Sequence, residues 1–223
     1  MTSFIEIPAS KRSLALRRPL CGIGINDANY MVFPRVDGNM NICPYYQSWA
    51  NMIKRAYSSK TQLRQPTYKG CSVVKEWHTL SVFRSWMEGQ DWQGKYLDKD
   101  LIVKGNKEYG PKTCLFVNRM INNLLTDSAA NRGEYPQGVS LDCESMKYLS
   151  TCIVEGKQKK IGRFKSVDDA EIAYLEFKSN RVINISLTEE PIIRAALLRH
   201  AKIMTDRIEF IRVKDLPSNF NYQ

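Results

Sequence analysis

Histidine is nearly absent from this chain: two among 223 residues, His78 and His200. Histidine is the side chain whose ordinary pKa lets it accept a proton near neutrality, so sites built on a histidine base have little material here. Six cysteines are present (Cys21, Cys43, Cys71, Cys114, Cys143, Cys152), but no two stand as a C-x-x-C pair, which argues against a structural zinc site of the usual spacing. No apolar run approaches the roughly 20 residues that span a bilayer, and Met1 to Leu20 lacks the apolar centre of a signal peptide. The expectation is a non-membrane protein in a reducing compartment, with its cysteines as thiols packed among core residues.

Acidic residues are the other shortage. Thirty-three Lys and Arg face 23 Asp and Glu, giving a net charge of +10 and a pI near 9.3. Such an excess attracts polyanions by releasing their counterions, and nucleic acid is the usual partner. The most lopsided stretch is Lys157 to Lys165, with Lys157, Lys159, Lys160, Arg163 and Lys165 and no acid. It follows a β-rich run, Lys147 to Val154, and a turn at Glu155-Gly156-Lys157. Ser166 then caps a helix from Val167 to Lys178, with Ala170, Ala173, Tyr174 and Phe177 on its apolar face. The expectation is a sheet with all five cations on one face, Ile161 and Phe164 turned to the helix, and a surface of the size a DNA major groove admits. Arg163 is the candidate base contact, Lys159, Lys160 and Lys165 are candidates for phosphates, and Lys157 belongs to the same DNA-binding set. A solvated edge strand is the plainer alternative.

Elsewhere the fold class is α+β. Residues 1–30, with Lys11, Arg12, Arg17 and Arg18, suit a flexible basic arm. Tyr45 to Tyr57 and Trp77 to Met87 have the apolar spacing of helices, whose tryptophans belong to the core. Tyr96 to Ile102 fits a strand ending in acids, Gly105 to Pro111 a polar turn, and Thr113 to Val117 a second strand; a helix begins at Asn118. Alternation along the first strand puts Asp98 and Asp100 on one face. With Asn122 on the helix, the three supply oxygens of the kind that hold one Mg²⁺ against a phosphate. Asp127 to Gly138 is the best boundary, being small, polar and turn-rich, and a second break falls at Asn180 to Pro191. Ile192 to Ile211 then forms a helix that is open to three readings: a homodimer helix, a packing brace, or a second DNA-contacting element.

Several of these segments carry a resemblance. Leu97-Asp98-Lys99-Asp100, then Tyr109, Pro111, Cys114, Phe116, Val117 and Asn122, resemble phage HNH-type homing endonucleases, as do Trp49, Met52, Arg55, Tyr57, Pro66, Tyr68 and Trp77 upstream. Tyr135-Pro136-Gln137-Gly138-Val139, Ile161-Gly162-Arg163-Phe164, Ala170, Ala173 and Tyr174 are similar to the ethylene-response-factor-like DNA-binding module often fused to them. The resemblance covers roughly residues 45 to 178. It implies a ββα-metal core within residues 31–130, a three-stranded sheet plus helix at 131–180, and a helical extension at 181–223. It also implies a Mg²⁺ ion, phage or mobile-element origin, and a bacterial host cytoplasm. The chain departs from the pattern at the catalytic base: Asp98, Lys99 and Asp100 stand where the family has a histidine. An ordinary Asp is a poor base at pH 7. The leading expectation is a double-stranded-DNA-binding protein that acts as a regulator or repressor by occupying its site, with Asp98 and Asp100 an altered or remnant catalytic pair; the alternative is a Mg²⁺-dependent endonuclease.

Overall fold

The structure, a computed structural model, describes residues 4–125 and 133–214. The chain divides into two compact units, 1–119 and 120–223. Most of the expected boundary at Asp127 to Gly138 lies outside the described residues.

The first unit opens with the short helix α1 (Lys11–Ala15), N-capped by Ser10, and the hairpin β1 (Arg35–Val36) to β2 (Asn39–Met40). Residues 4–30 differ from a free arm. Pro8 bridges to Tyr30 and Leu20 to Gly24. Arg17 donates to the carbonyls of Asn26 (3.1 Å), Ala28 and Tyr30 (2.8 Å), so one cation of the expected arm closes a chain reversal.

Helix α2 (Pro44–Tyr57) begins where Cys43 Sγ accepts the Tyr46 amide and Pro44 fixes the first turn. It buries Trp49, Met52 and Ile53, and the Trp49 indole donates to the Trp77 carbonyl at 2.8 Å. Helix α3 (Ser59–Arg64) follows, capped by Ser58, then a 3₁₀ turn at Pro66–Tyr68 and β3 (Ser72–Val73). The single helix expected over Trp77 to Met87 is broken in two: a 3₁₀ turn, Lys75–His78, and α4 (Leu80–Glu88). The interruption has a local cause. Ile25 takes the His78 carbonyl at 2.8 Å and offers its own carbonyl to the Leu80 amide at 3.0 Å, which holds Thr79 extended. Strand β4 (Tyr96–Asp98) pairs antiparallel with β6 (Leu115–Val117), while β5 (Glu108–Tyr109) runs parallel to β3. Helix α5 (Arg119–Leu124) follows β6.

The second unit contains β7 (Val139–Asp142), β8 (Lys147–Val154) and β9 (Lys157–Phe164) in one antiparallel sheet, then α6 (Val167–Ser186) and α7 (Pro191–Val213). Glu155 and Gly156, both at positive φ, form the two-residue loop between β8 and β9, the turn whose twist suits a hairpin. Ser166 Oγ accepts the Asp169 amide and starts α6 as expected. The helix runs eight residues past Lys178 because Ser179, Val182 and Ser186 are buried along it where α6 packs with α7. Arg194 closes the corner, donating to the carbonyls of Ser186, Leu187 and Glu189. Helix α7 buries Ile193, Ala196, Leu197 and Ala201, and Arg207 makes a two-pronged bond to Glu171 of α6 at 2.9 and 3.2 Å. Of the three readings of the tail, these contacts display the packing brace. No helix of the described residues is long and apolar enough to cross a membrane.

Candidate nucleic-acid interface

The register of the sheet decides where the cations of β9 point. Side chains directly opposite in antiparallel strands share a face. Val139 and Leu141 on β7, then Tyr148, Ser150 and Cys152 on β8, share the helix side. Opposite Ser150 stands Gly162, and opposite Thr151 stands Lys160, so Ile161 is an extra residue on β9 and forms a bulge. Alternation therefore restarts at Ile161. Before it, Lys157 and Lys159 share the helix side, where Lys159 Nζ lies 5.0 Å from the Phe177 ring centroid of α6. After it, Gly162 and Phe164 take that side. Lys160 and Arg163 lie on the open face with Gln158, Thr151, Leu149 and Ile153, the last 60 % exposed.

The five cations are thus divided between two faces, which corrects the one-faced strand expected from sequence. Lys165 follows the strand and is exposed. Phe164 is turned to the helix side as expected but is half-buried, its ring lying over Gly162. Arg163 reaches across the middle strand and donates through Nε to Asp142 Oδ2 of β7 at 2.8 Å. A side-chain hydrogen bond from Ser145, with the Arg163 guanidinium, holds the Asp142 carboxyl below the usual range.

The helix face is closed by Tyr174. Its ring lies so close to Gly138 that a Cβ there would come within 2.1 Å of the ring, and Gly138 has φ of +79°. Only glycine fits that position. Lys178 is buried on the same face and donates to Gln137 at 3.0 Å.

The acidic run of the first unit is arranged differently from a strand edge. β4 ends at Asp98 because Asp98 Oδ1 accepts the amides of Asp100 (2.8 Å) and Leu101 (2.7 Å), which folds the chain away. Asp98 and Asp100 consequently do not alternate on one strand face. Lys99, only 5 % exposed, donates to Asp100 Oδ1 and to the Asn106 carbonyl at 2.8 Å. Asn106 Nδ2 returns to the carbonyls of Lys99 and Glu108 at 2.9 and 2.6 Å. Burial pushes the Asp98 carboxyl up, opposed by the two amides. Asn122, half-buried on α5, belongs to the second unit, whereas Asp98 and Asp100 belong to the first. One oxygen of Asp98 is taken by two amides and one of Asp100 by an ammonium. Among the described residues, no group of three His, Cys, Asp or Glu could hold a metal.

His78 is a framework residue here: Nε2 lies 3.1 Å from the Val73 carbonyl and 3.3 Å from the Tyr57 hydroxyl, with the Tyr57 ring edge-on. All six cysteines are free; Cys43, Cys71, Cys114 and Cys152 are buried, and burial pushes the Cys114 thiol up to about 12. The four buried thiols are packed in the interior. No protein-family model, no curated protein and no solved structure matches this chain.

Proposed function

We propose that the chain is a sequence-specific double-stranded-DNA-binding protein on a homing-endonuclease plan, acting as a regulator by occupying its site. The observation that carries this reading is the open face of the three-stranded sheet, where the Ile161 bulge brings Lys160 and Arg163 to one side, away from α6. A two- or three-stranded ribbon fits a major groove, and an arginine fork pairs with guanine O6 and N7. Arg163 is the base-reading residue and Lys160 a phosphate contact; Lys165, beyond the strand end, extends the same role. Lys157 and Lys159, on the helix side, are left to contact phosphates at the rim.

Selection of bound duplexes from a random library, followed by mobility shifts on the enriched site, tests the reading. Enrichment of a defined sequence supports it, and uniform binding to all duplexes counts against it. Site-specific cleavage is the second reading, favoured by the order of β4, loop, β6 and α5. It would replace the first if the purified chain with Mg²⁺ makes a discrete nick that Asp98→Asn abolishes.

A further inference from the structure

The positive charge of this chain is concentrated away from its three-stranded sheet. Residues 1–119 hold 18 of the Lys and Arg and 9 of the Asp and Glu, a net +9; residues 120–223 hold 15 and 14, a net +1. Within the first unit the imbalance is sharper still. Between Asp37 and Glu76 there is no carboxylate side chain, while Lys54, Arg55, Lys60, Arg64, Lys69 and Lys75 are all present.

The fold joins the elements that carry most of these. α3 packs back on the end of α2, where Gln62 Nε2 donates to the Arg55 and Ala56 carbonyls. Lys60 and Arg64 stand one turn apart on α3. Arg55 lies over the Tyr68 ring, 5.2 Å from its centroid, which joins α2 to the 3₁₀ turn at Pro66–Tyr68. Lys107 Nζ donates to the Thr67 carbonyl at 2.7 Å and ties the approach to β5 to the same turn. Lys54, Lys60, Arg64 and Lys69 are exposed, and among the described residues none of them is ion-paired. In the second unit Arg163, Lys202, Arg207, Arg212 and Lys214 each sit on a carboxylate, whereas Lys157, Lys160 and Lys165 of the β9 region are exposed.

We infer that the surface formed by the end of α2, α3 and the Pro66–Lys69 turn is a second DNA contact, one that grips the phosphate backbone of duplex DNA without reading sequence. It rests on the DNA-binding reading above and divides the labour: the sheet selects, and this surface supplies the salt-dependent affinity. Unpaired exposed cations with no neighbouring carboxylate release counterions from a polyanion at no cost in broken ion pairs. An anionic membrane is the poorer fit. Binding a bilayer needs an apolar helical face beside the charge, and α3 is six residues long with Leu63 its one strongly exposed apolar side chain.

The test uses the full chain. The variant Lys54→Gln/Lys60→Gln/Arg64→Gln/Lys69→Gln is compared with the parent, with Arg163→Ala, and with a charge-matched control altered at Lys11, Arg12, Lys202 and Arg212. Circular dichroism and thermal melts check that each folds. Binding to selected and to random duplexes is followed by fluorescence anisotropy between 50 and 300 mM salt, on the order of the range where phosphate contacts are read. The expected result is a salt slope lower by about 3, with equal loss on both duplexes and the site preference intact. The control should keep the parent slope, and Arg163→Ala should lose preference with its slope little changed. An unchanged slope in the quadruple variant, or an equal fall in the control, overturns the inference while leaving the sheet's role standing. The quadruple variant losing binding to phosphatidylserine vesicles but not to DNA overturns it in favour of a membrane contact. A parent chain that binds no duplex at 50 mM salt overturns both readings.

Discussion

Arg163 and Asp142 meet across the three-stranded sheet from its two outer strands, Nε to Oδ2 at 2.8 Å, with the Asp142 side chain 14 % exposed and that of Arg163 48 % exposed. The bond occupies Nε and leaves the terminal nitrogens of the guanidinium as a fork directed by its partner. A guanidinium so held loses less rotamer freedom on binding a base than a free one. Asp142→Asn is expected to keep the fold and non-specific binding but lower the preference for guanine at one position by about 10-fold or less, at most the lower part of the roughly 1–3 kcal/mol a bidentate pair discriminates. Selection on both proteins measures it, and an unchanged base profile would show that Asp142 plays no part in positioning.

The pH dependence of that preference follows from the depressed Asp142 pKa. A group with its folded pKa lowered keeps its contribution above the unfolded value and loses it as the pH falls through the folded one. The base preference should therefore be flat from pH 8 down to about 5, above the ordinary carboxylate range. A preference that titrates near neutrality would point to another group.

Gly138→Ala should be among the most damaging single changes in the second unit. The new methyl would meet the Tyr174 ring and the Thr151 carbonyl at a backbone angle that L-residues resist. A loss of about 3 kcal/mol or more in denaturant unfolding is expected. Phe164→Ala, by contrast, removes a half-buried ring and should cost less than the roughly 3–5 kcal/mol of a fully buried one.

Asp98 offers a way to separate architecture from catalysis. Asp98→Ala removes the acceptor of two amides and should cost about 1–3 kcal/mol, whereas Asn keeps an oxygen for both and should fold nearly as well as the parent. Burial raises the Asp98 pKa, so the folded state holds that proton more tightly and the group's contribution to stability declines as pH rises from the ordinary carboxylate value to the raised one. The Asn variant should lack that decline, as acid-range unfolding curves would show.

Much of the architecture was legible from local chemistry. Ser166 ahead of the apolar spacing of Ala170, Ala173, Tyr174 and Phe177 located the start of α6, and the turn at Glu155-Gly156 located the hairpin. What escaped depended on partners distant in sequence. The end of α6 is set by its packing with α7, since Ser179, Asn180 and Asn184 give little intrinsic reason to continue a helix. The break before α4 is set by Ile25, more than fifty residues upstream. At the candidate site, the residues of β9 were visible but their facing was not, because a bulge leaves no reliable mark in sequence. The shared face expected for Asp98 and Asp100 failed because alternation was carried past the residue where Asp98 itself ends the strand. The charge of residues 38–75 was fully visible, yet spread over a helix end, a second helix and a turn, it has no motif.

The extra residue at Ile161 makes that one position of β9 tolerant of deletion as well as of substitution. Ile161 is half-buried and pairs with no residue of β8, so exchanging its side chain should be mild. Removing it places Lys160 and Gly162 side by side opposite Thr151 and Ser150, so Arg163 stays on the side of Lys160 and Phe164 on that of Lys159. One codon lost there would straighten the strand and leave the reading surface facing as before.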